Sequence, residues 1–313
     1  MTSFRGLLAY PITPLAPHDA PDLAGLAHLV RAAASAGVDG VVVLASSGGG
    51  VTFDADERDD VVRAAVEAGA APGARRVPVH VAVSGVSTRE VVARARAARD
   101  GGADGLVLAP FSYLPLDEHE VVALFEAVAA AVELPVCYYN RSVQTAYDVT
   151  PEALARLART TTVTAVKDPA STPARPTGRV AALRAATEGL DVSVGLSGDA
   201  AIVGGAEAAD AWHSGLAALV PEEYVALRRA RAAGTRPDPA TEAWLRDLTG
   251  VLAALRPVSG FHALANLLGA GTAPPRGPSL PVPPDGVARL RDAVARRPAG
   301  PPAPRHGTVT SAV

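Results

Sequence analysis

Lys167 is the only lysine in the chain; of 29 Lys and Arg residues, 28 are Arg. Arginine keeps its proton in a protein and cannot act as a nucleophile, whereas a buried lysine can lose one and attack a carbonyl. The amine closes a short apolar run, Val163-Thr-Ala-Val-Lys167-Asp168, rich in β-branched residues. That pattern predicts a buried strand with the amine at its C-terminal end. A lysine kept by chance on the surface would seldom finish such a strand. Tyr138 and Tyr139 end a second apolar run. Neighbours on a strand face opposite ways, so one packs in the core and the other, Tyr139, is the candidate for chemistry. A third run ends in Ser46-Ser47-Gly48-Gly49-Gly50. These parts suit Schiff-base catalysis. A neutral amine attacks a 2-oxo carbonyl, and loss of water leaves an iminium that serves as an electron sink. A phenol shuttles the protons, and hydroxyls and backbone N–H groups of a Ser-Gly loop hold the substrate carboxylate.

Each of these residues also has a plainer use. Tyr139 could pack, and Ser46 and Ser47 could simply form a turn. Gly48–Gly50 could cradle a phosphate, but three adjacent glycines lack the spacing of a dinucleotide or Walker loop. His213 either faces a substrate or sits hydrogen-bonded in the core. Arg141 meets either a distal carboxylate or a surface acid. The arginine pairs at 75–76 and 296–297 are expected to be solvated. The seven histidines show no metal-ligand spacing, so neither a metal nor another cofactor is expected.

The elements that would carry these residues alternate. Strands are predicted at Gly6–Pro11, Gly40–Leu44, Val77–Val83, Gly105–Ala109, Pro135–Tyr139, Val163–Lys167, Val192–Leu196 and Ala211–Ser214. Between them run amphipathic helices with readable starts: capping boxes at Asp54/Glu57 and Asp117/Glu120, Ser87 with Glu90, and Thr150-Pro151. Ala-Gly-Val-Asp-Gly at 36–40 is echoed by Gly-Gly-Ala-Asp-Gly at 101–105, each ahead of a strand. Eight βα units argue for an α/β fold, a closed (β/α)8 TIM barrel, over a doubly wound open sheet. After Pro221 strands give way to helices at Glu222–Ala233, Pro239–Leu255, Val258–Leu268 and Pro284–Arg296. The expected division is a catalytic barrel over 1–220, a C-terminal helical subdomain over 221–297 and a disordered Pro-, Ala- and Gly-rich tail over 298–313.

The bulk numbers narrow the class. With 313 residues, 49% hydrophobic content and net charge −3, the chain is an ordinary globular protein. No nucleic-acid or membrane-surface partner is implied. No apolar stretch is long enough to cross a bilayer, and Met-Thr-Ser-Phe-Arg leads straight into an apolar run without the pattern of a signal peptide. The single cysteine, Cys137, permits no intrachain disulfide and reads as a small core residue, so a cytoplasmic location is the default expectation.

Over residues 5 to about 297 the chain resembles the dihydrodipicolinate synthase / N-acetylneuraminate lyase family of class I lyases. Gly6-Leu-Leu-Ala-Tyr-Pro-Ile-Thr-Pro14 is similar to that family's opening strand. Ser46-Ser47-Gly48 stands at its carboxylate loop, Tyr139-Asn140 at its tyrosine motif and Val166-Lys167-Asp168 at its Schiff-base motif. Ser197-Gly198-Asp199 and Arg276-Gly-Pro-Ser-Leu-Pro281 resemble later landmarks. The resemblance implies a lyase on a 2-oxo acid, with Lys167, Tyr139 and Ser47 catalytic and Ser46, Gly48, Arg141, Gln144 and His213 binding substrate. It also implies a homo-oligomer, dimer or tetramer. There are departures. Gly49 stands where the family loop has Glu. Gln144 replaces an arginine that in the synthases binds the second substrate's carboxylate. Ser112, beside Tyr113, falls where the synthases lend a tyrosine across a subunit interface, and Ala218 replaces an Asn. Tyr139-Asn140-Arg141 resembles the sugar-acid branch, such as 5-dehydro-4-deoxyglucarate dehydratase. Aldolase and dehydratase therefore stay open, with 4-hydroxy-tetrahydrodipicolinate synthesis and a non-catalytic binding barrel as the alternatives.

Overall fold

The computed structural model describes residues 4–71, 75–169, 178–205 and 208–299. The barrel half runs β1 (Gly6–Ala9), α1 (Leu23–Ala36), β2 (Gly40–Val43), α2 (Ala55–Gly69), β3 (Val79–Ala82), α3 (Thr88–Asp100), β4 (Gly105–Leu108) and α4 (Glu118–Ala131). It continues with β5 (Val136–Tyr139), α5 (Ser142–Thr145), α6 (Pro151–Thr160), β6 (Val163–Pro169), α7 (Arg179–Ala186), β7 (Ser193–Ser197), α8 (Asp199–Gly204) and β8 (Ala211–Ser214). Then come α9 (Pro221–Ala232), α10 (Pro239–Ala253), α11 (Pro257–Leu267) and α12 (Pro284–Ala295). All eight strands pair in parallel, in chain order, and β8 closes on β1, so the fold is a (β/α)8 barrel.

Alternation along each strand makes two cores. Leu7, Val41, Val43, Val81, Leu106, Leu108, Tyr138 and Val166 pack outward against the helices. Leu8, Tyr10, Val42, Ala82, Val107, Ala109, Cys137, Tyr139, Ala165 and Ala211 form a separate inner cluster. Tyr138 stacks on Phe125 at 5.0 Å, so it is the packing member of the tyrosine pair.

The short repeat in the sequence has a structural cause. Asp39 and Asp104, the acids of the two echoed segments, each stand just ahead of a strand. Their carboxylates accept the N–H groups of Leu7 and Val79, both at 2.8 Å, on the neighbouring strand. Asp210 does the same for Val194 at 2.9 Å, a third instance that the sequence comparison did not reveal. An acid at this place satisfies a donor that the ladder leaves open at the bottom of the barrel.

Both capping boxes form, and Ser87 and Thr150 cap α3 and α6. One boundary shifts. β6 continues two residues past Lys167, because Asp168 and Pro169 still pair with Leu196 and Ser197 of β7. The arginine pairs are exposed, as expected, and in addition make ion pairs. Arg76 meets Asp104, Arg296 meets Asp247, and Arg297 meets the buried Glu223. The helix α9, just beyond the expected boundary at 220, packs on α1 and β1, while α10 packs on α8 and α12. From residue 300 the expected tail lies outside the described residues. None of the described helices is long and apolar enough to cross a membrane.

Candidate active site

Tyr139 and Lys167 are partners in the β5–β6 register, and Lys167 is paired in turn with Gly195 of β7. All three positions point into the barrel near its C-terminal end, where sites of this fold lie. Lys167 is 6% exposed and Tyr139 8%. The Lys167 Nζ sits between two rings, 3.8 Å from the centroid of Tyr10 and 4.0 Å from that of Tyr139. Burial lowers the Lys167 pKa, and the neighbouring Tyr139 only partly reverses this. That is the direction a nucleophilic amine needs.

Tyr139 behaves oppositely to the other buried tyrosines. Burial pushes its phenol up, but Lys167 and Arg141 outweigh burial and leave it below its ordinary value. Arg141 Nη1 donates to the Tyr139 hydroxyl oxygen at 2.8 Å. The same guanidinium donates from Nε to Gln144 Oε1 at 3.0 Å and from Nη1 to Ser46 Oγ at 3.4 Å.

The loop after β2 folds back under the site. Gly50 is obligatory there, since a Cβ would lie 1.9 Å from the Leu44 carbonyl oxygen. Ser47 Oγ donates to the Tyr10 carbonyl at 3.0 Å, which ties the loop to the end of β1. Arg276, from the segment before α12, fixes the following turn. It donates to Glu57 at 2.7 Å and to the Thr52 carbonyl at 2.9 Å, and lies 4.3 Å over Phe53.

A cavity of about 560 Å³ opens above the amine. Lys167, Tyr139, Ser46, Ser47, Arg141, Gln144 and His213 all line it, so seven of the eight expected site residues converge. Gly48 does not. It lines an adjoining cavity of about 410 Å³ that shares Ser46, Tyr139, Arg141 and Gln144 as a wall. Pro257 and Phe261 of α11 reach the rim, so the C-terminal helices shape the mouth.

His213 is buried and held from below. Its Nδ1 shares a 2.7 Å hydrogen bond with the Tyr10 hydroxyl. Burial and then Lys167 keep it well below the usual imidazole pKa, so it is neutral.

Several participants stand in motifs of the sequence that gave them no role of their own. Tyr10 lies in the opening strand segment Gly6–Pro14. The inward register of a polar ring in an apolar strand was the available clue. Asp199 also lines the cavity, accepting from Ser214 Oγ and, at 2.8 Å, from the Tyr224 hydroxyl. Burial leaves its carboxyl above the usual range. Behind Lys167, the buried Asp168 accepts from Asn140 at 2.7 Å and from Arg179 at 3.1 Å, and Asn140 also reaches Asp148 at 2.8 Å. This network joins β5, β6 and α7 under the amine, and no local spacing announces it. Among the described residues no cluster of His, Cys, Asp and Glu could hold a metal ion.

The pattern of the Dihydrodipicolinate synthetase family matches residues 3–296. A 4-hydroxy-tetrahydrodipicolinate synthase of Salinibacter ruber is 37% identical over 155 residues, which is 50% of each chain. A putative 2-dehydro-3-deoxy-D-gluconate aldolase, YagE of Escherichia coli, is 36% identical over 137 residues, 44% of each chain. The chain thus spans about half the length of these curated relatives. The crystal structure of a dihydrodipicolinate synthase from Agrobacterium tumefaciens superposes with a TM-score of 0.83 at 30% identity, covering 94% of this chain and 98% of the other. The amine at the barrel mouth, the closed parallel barrel and the match over nearly the whole length lead to one assignment: the chain belongs to the dihydrodipicolinate synthetase family.

Proposed function

We propose that the protein is a class I lyase that acts on a 2-oxo acid, pyruvate or one derived from a sugar, through a Schiff base on Lys167. The observation that carries this reading is the sole lysine of the chain, buried between two tyrosine rings beneath an open cavity. In this reading the Lys167 amine attacks the 2-oxo carbon, and Tyr139 relays the protons that convert carbinolamine to iminium. Ser46, Ser47 with its hydroxyl turned from the Tyr10 carbonyl, and the Gly48 amide at the adjoining cavity hold the C1 carboxylate, and Arg141, Gln144 and His213 border the rest of the substrate. Relatives named as a synthase and as an aldolase support a carbon–carbon bond as the one made or broken. Dehydration of a sugar acid remains the competing outcome at the same iminium. The test is borohydride reduction in the presence of pyruvate or a longer 2-oxo acid, read by intact mass. One adduct on Lys167 is expected, and none in Lys167→Arg. An adduct and turnover in Lys167→Arg would end the Schiff-base reading. An adduct without turnover on any 2-oxo acid would favour a binding barrel.

The second reading is 4-hydroxy-tetrahydrodipicolinate synthesis, favoured by the name of the relative from S. ruber. Gln144 speaks against it, since a neutral amide already bonded to Arg141 lacks the bidentate charge that anchors a second carboxylate. A coupled assay with pyruvate and aspartate semialdehyde, run beside deoxy-2-oxo sugar acids, separates the two. The semialdehyde should be the poorer substrate. We also infer a homo-oligomer, dimer or tetramer, which light scattering would register as a mass above that of one chain, and a cytoplasmic location.

A further inference from the structure

Arg141 spends its hydrogen bonds on neutral oxygens, those of Tyr139, Gln144 and Ser46. Among the described residues no carboxylate pairs with it, although the cavity beside it holds Asp148 and Asp199. Its Nη1 is spent on the Tyr139 hydroxyl oxygen at 2.8 Å, and its Nε on Gln144 at 3.0 Å. A guanidinium donates and never accepts, so the lone pairs of the Tyr139 oxygen face a fixed positive donor. We propose that Arg141 is a positioning residue for the proton transfers: its hydrogen bond stabilises the phenolate form of Tyr139, and that phenolate is the proton acceptor of the site. This deepens the lyase reading and rests on it for the catalytic step, though not for the acidity itself.

The surroundings of Tyr139 favour the anion from several sides. Lys167 of β6 lies 4.0 Å from its ring centroid, and Arg141 follows it in the chain. Tyr10 at the end of β1, Cys137 on the same strand and His213 of β8 face the same interior, all protonated or neutral under the shifts given by burial. β4, on the other flank of β5, contributes Val107 and Ala109 and no charge. Of the two acids that line the cavity, Asp148 bonds to Asn140 and Arg179, and Asp199 is buried, which raises its carboxyl. The contrast with other tyrosines is direct. Burial drives Tyr10, Tyr138 and Tyr224 well above the ordinary phenol value, while Tyr139 alone of the buried four is lowered.

The proton balance closes around a phenolate. It takes one proton from the Lys167 ammonium, freeing the amine to form the bond to the carbonyl carbon. It then moves the nitrogen's proton to the new oxygen, and finally gives up its own as the C–O bond breaks and water leaves. Ammonium plus carbonyl becomes iminium plus water, and Tyr139 ends as it began.

The chain has six tyrosines, so the Tyr139 step must be isolated. Subtracting the ultraviolet alkaline titration of Tyr139→Phe from that of the intact protein does so, without any substrate. A step below the free phenol value of about 10 is expected. In Arg141→Met it should move up by one pH unit or more, a tenfold loss of acidity, and Arg141→Lys should restore part of it. Arg141→Gln, close in size and polar, should follow Arg141→Met, which separates charge from packing. The acid limb of the kcat profile should shift by the same amount. A Tyr139 step that is absent below 10, or that stays in place in Arg141→Met, overturns the proposal. So does a tenfold rise in KM at every pH with an unmoved acid limb, which would make Arg141 a substrate anchor. Failure of borohydride trapping with a normal tyrosinate result would instead count against the lyase reading alone.

Discussion

Burying the Lys167 amine costs the fold stability, and replacing it with Met should recover about 0.5–2 kcal/mol at neutral pH. The sign follows from its lowered pKa. Between the folded value and the ordinary one the unfolded chain binds more protons, so stability of the natural protein climbs with pH across that window. The Met variant lacks this slope, and its advantage should fade towards pH 10. Urea melts at pH 7 and pH 10 would show it; a less stable variant at pH 7 would mean that the two aromatic faces more than offset the burial. Tyr139→Phe should lose about 10²–10⁴-fold in kcat while still forming a borohydride-trappable adduct at equilibrium. An unchanged kcat would reassign the ring to packing. At this scale the sequence was most informative where a residue type was rare or doubled. A sole lysine and a tyrosine pair on one strand could be placed by chemistry and by period two alone. Tyr10 could not, because its importance comes from β8, which delivers His213 to its hydroxyl across most of the chain.

Strands of the barrel are built around their imidazoles. A Cβ on Gly195 would meet His213 Nε2 at 2.2 Å, so the glycine on β7 makes the room in which the ring on β8 lies. Gly195→Ala should therefore destabilise by about 1–3 kcal/mol through overpacking. With His213→Ala in the background the two effects should be far from additive, as expected for residues in contact. Additive losses in a double-mutant cycle would refute the contact. His80 of β3 is similarly enclosed, and burial takes it down to about 4. A histidine lowered in the folded state gains protons first in the unfolded one, so stability should fall as pH drops from about 6.5 towards 4. His80→Gln should flatten that part of a stability–pH curve. Elements were legible wherever their cause was local. The boxes at Asp54/Glu57 and Asp117/Glu120 fix the starts of α2 and α4 within four residues of chain. The end of β6 was not, because its extra pairs belong to β7. The Asp168–Asn140–Arg179 network was hidden for the same reason, since three elements must assemble before it exists.

Across the whole molecule, the single interior lysine decides how the protein meets reagents that seek amines. Every other basic side chain in the sequence, histidine aside, is an arginine, and the one lysine is 6% exposed. Glutaraldehyde and activated esters, which join subunits through lysines, find the chain terminus and little else. A stable oligomer seen by light scattering should therefore still run as single chains on a denaturing gel after such treatment, whereas reagents that couple through carboxylates should lock it together. Sugars that slowly brown lysine-rich proteins on storage should leave this surface almost unmarked. A barrel that keeps its one lysine at the foot of its cavity presents aldehydes with an outer face close to inert, and what they do modify should lie in the site itself.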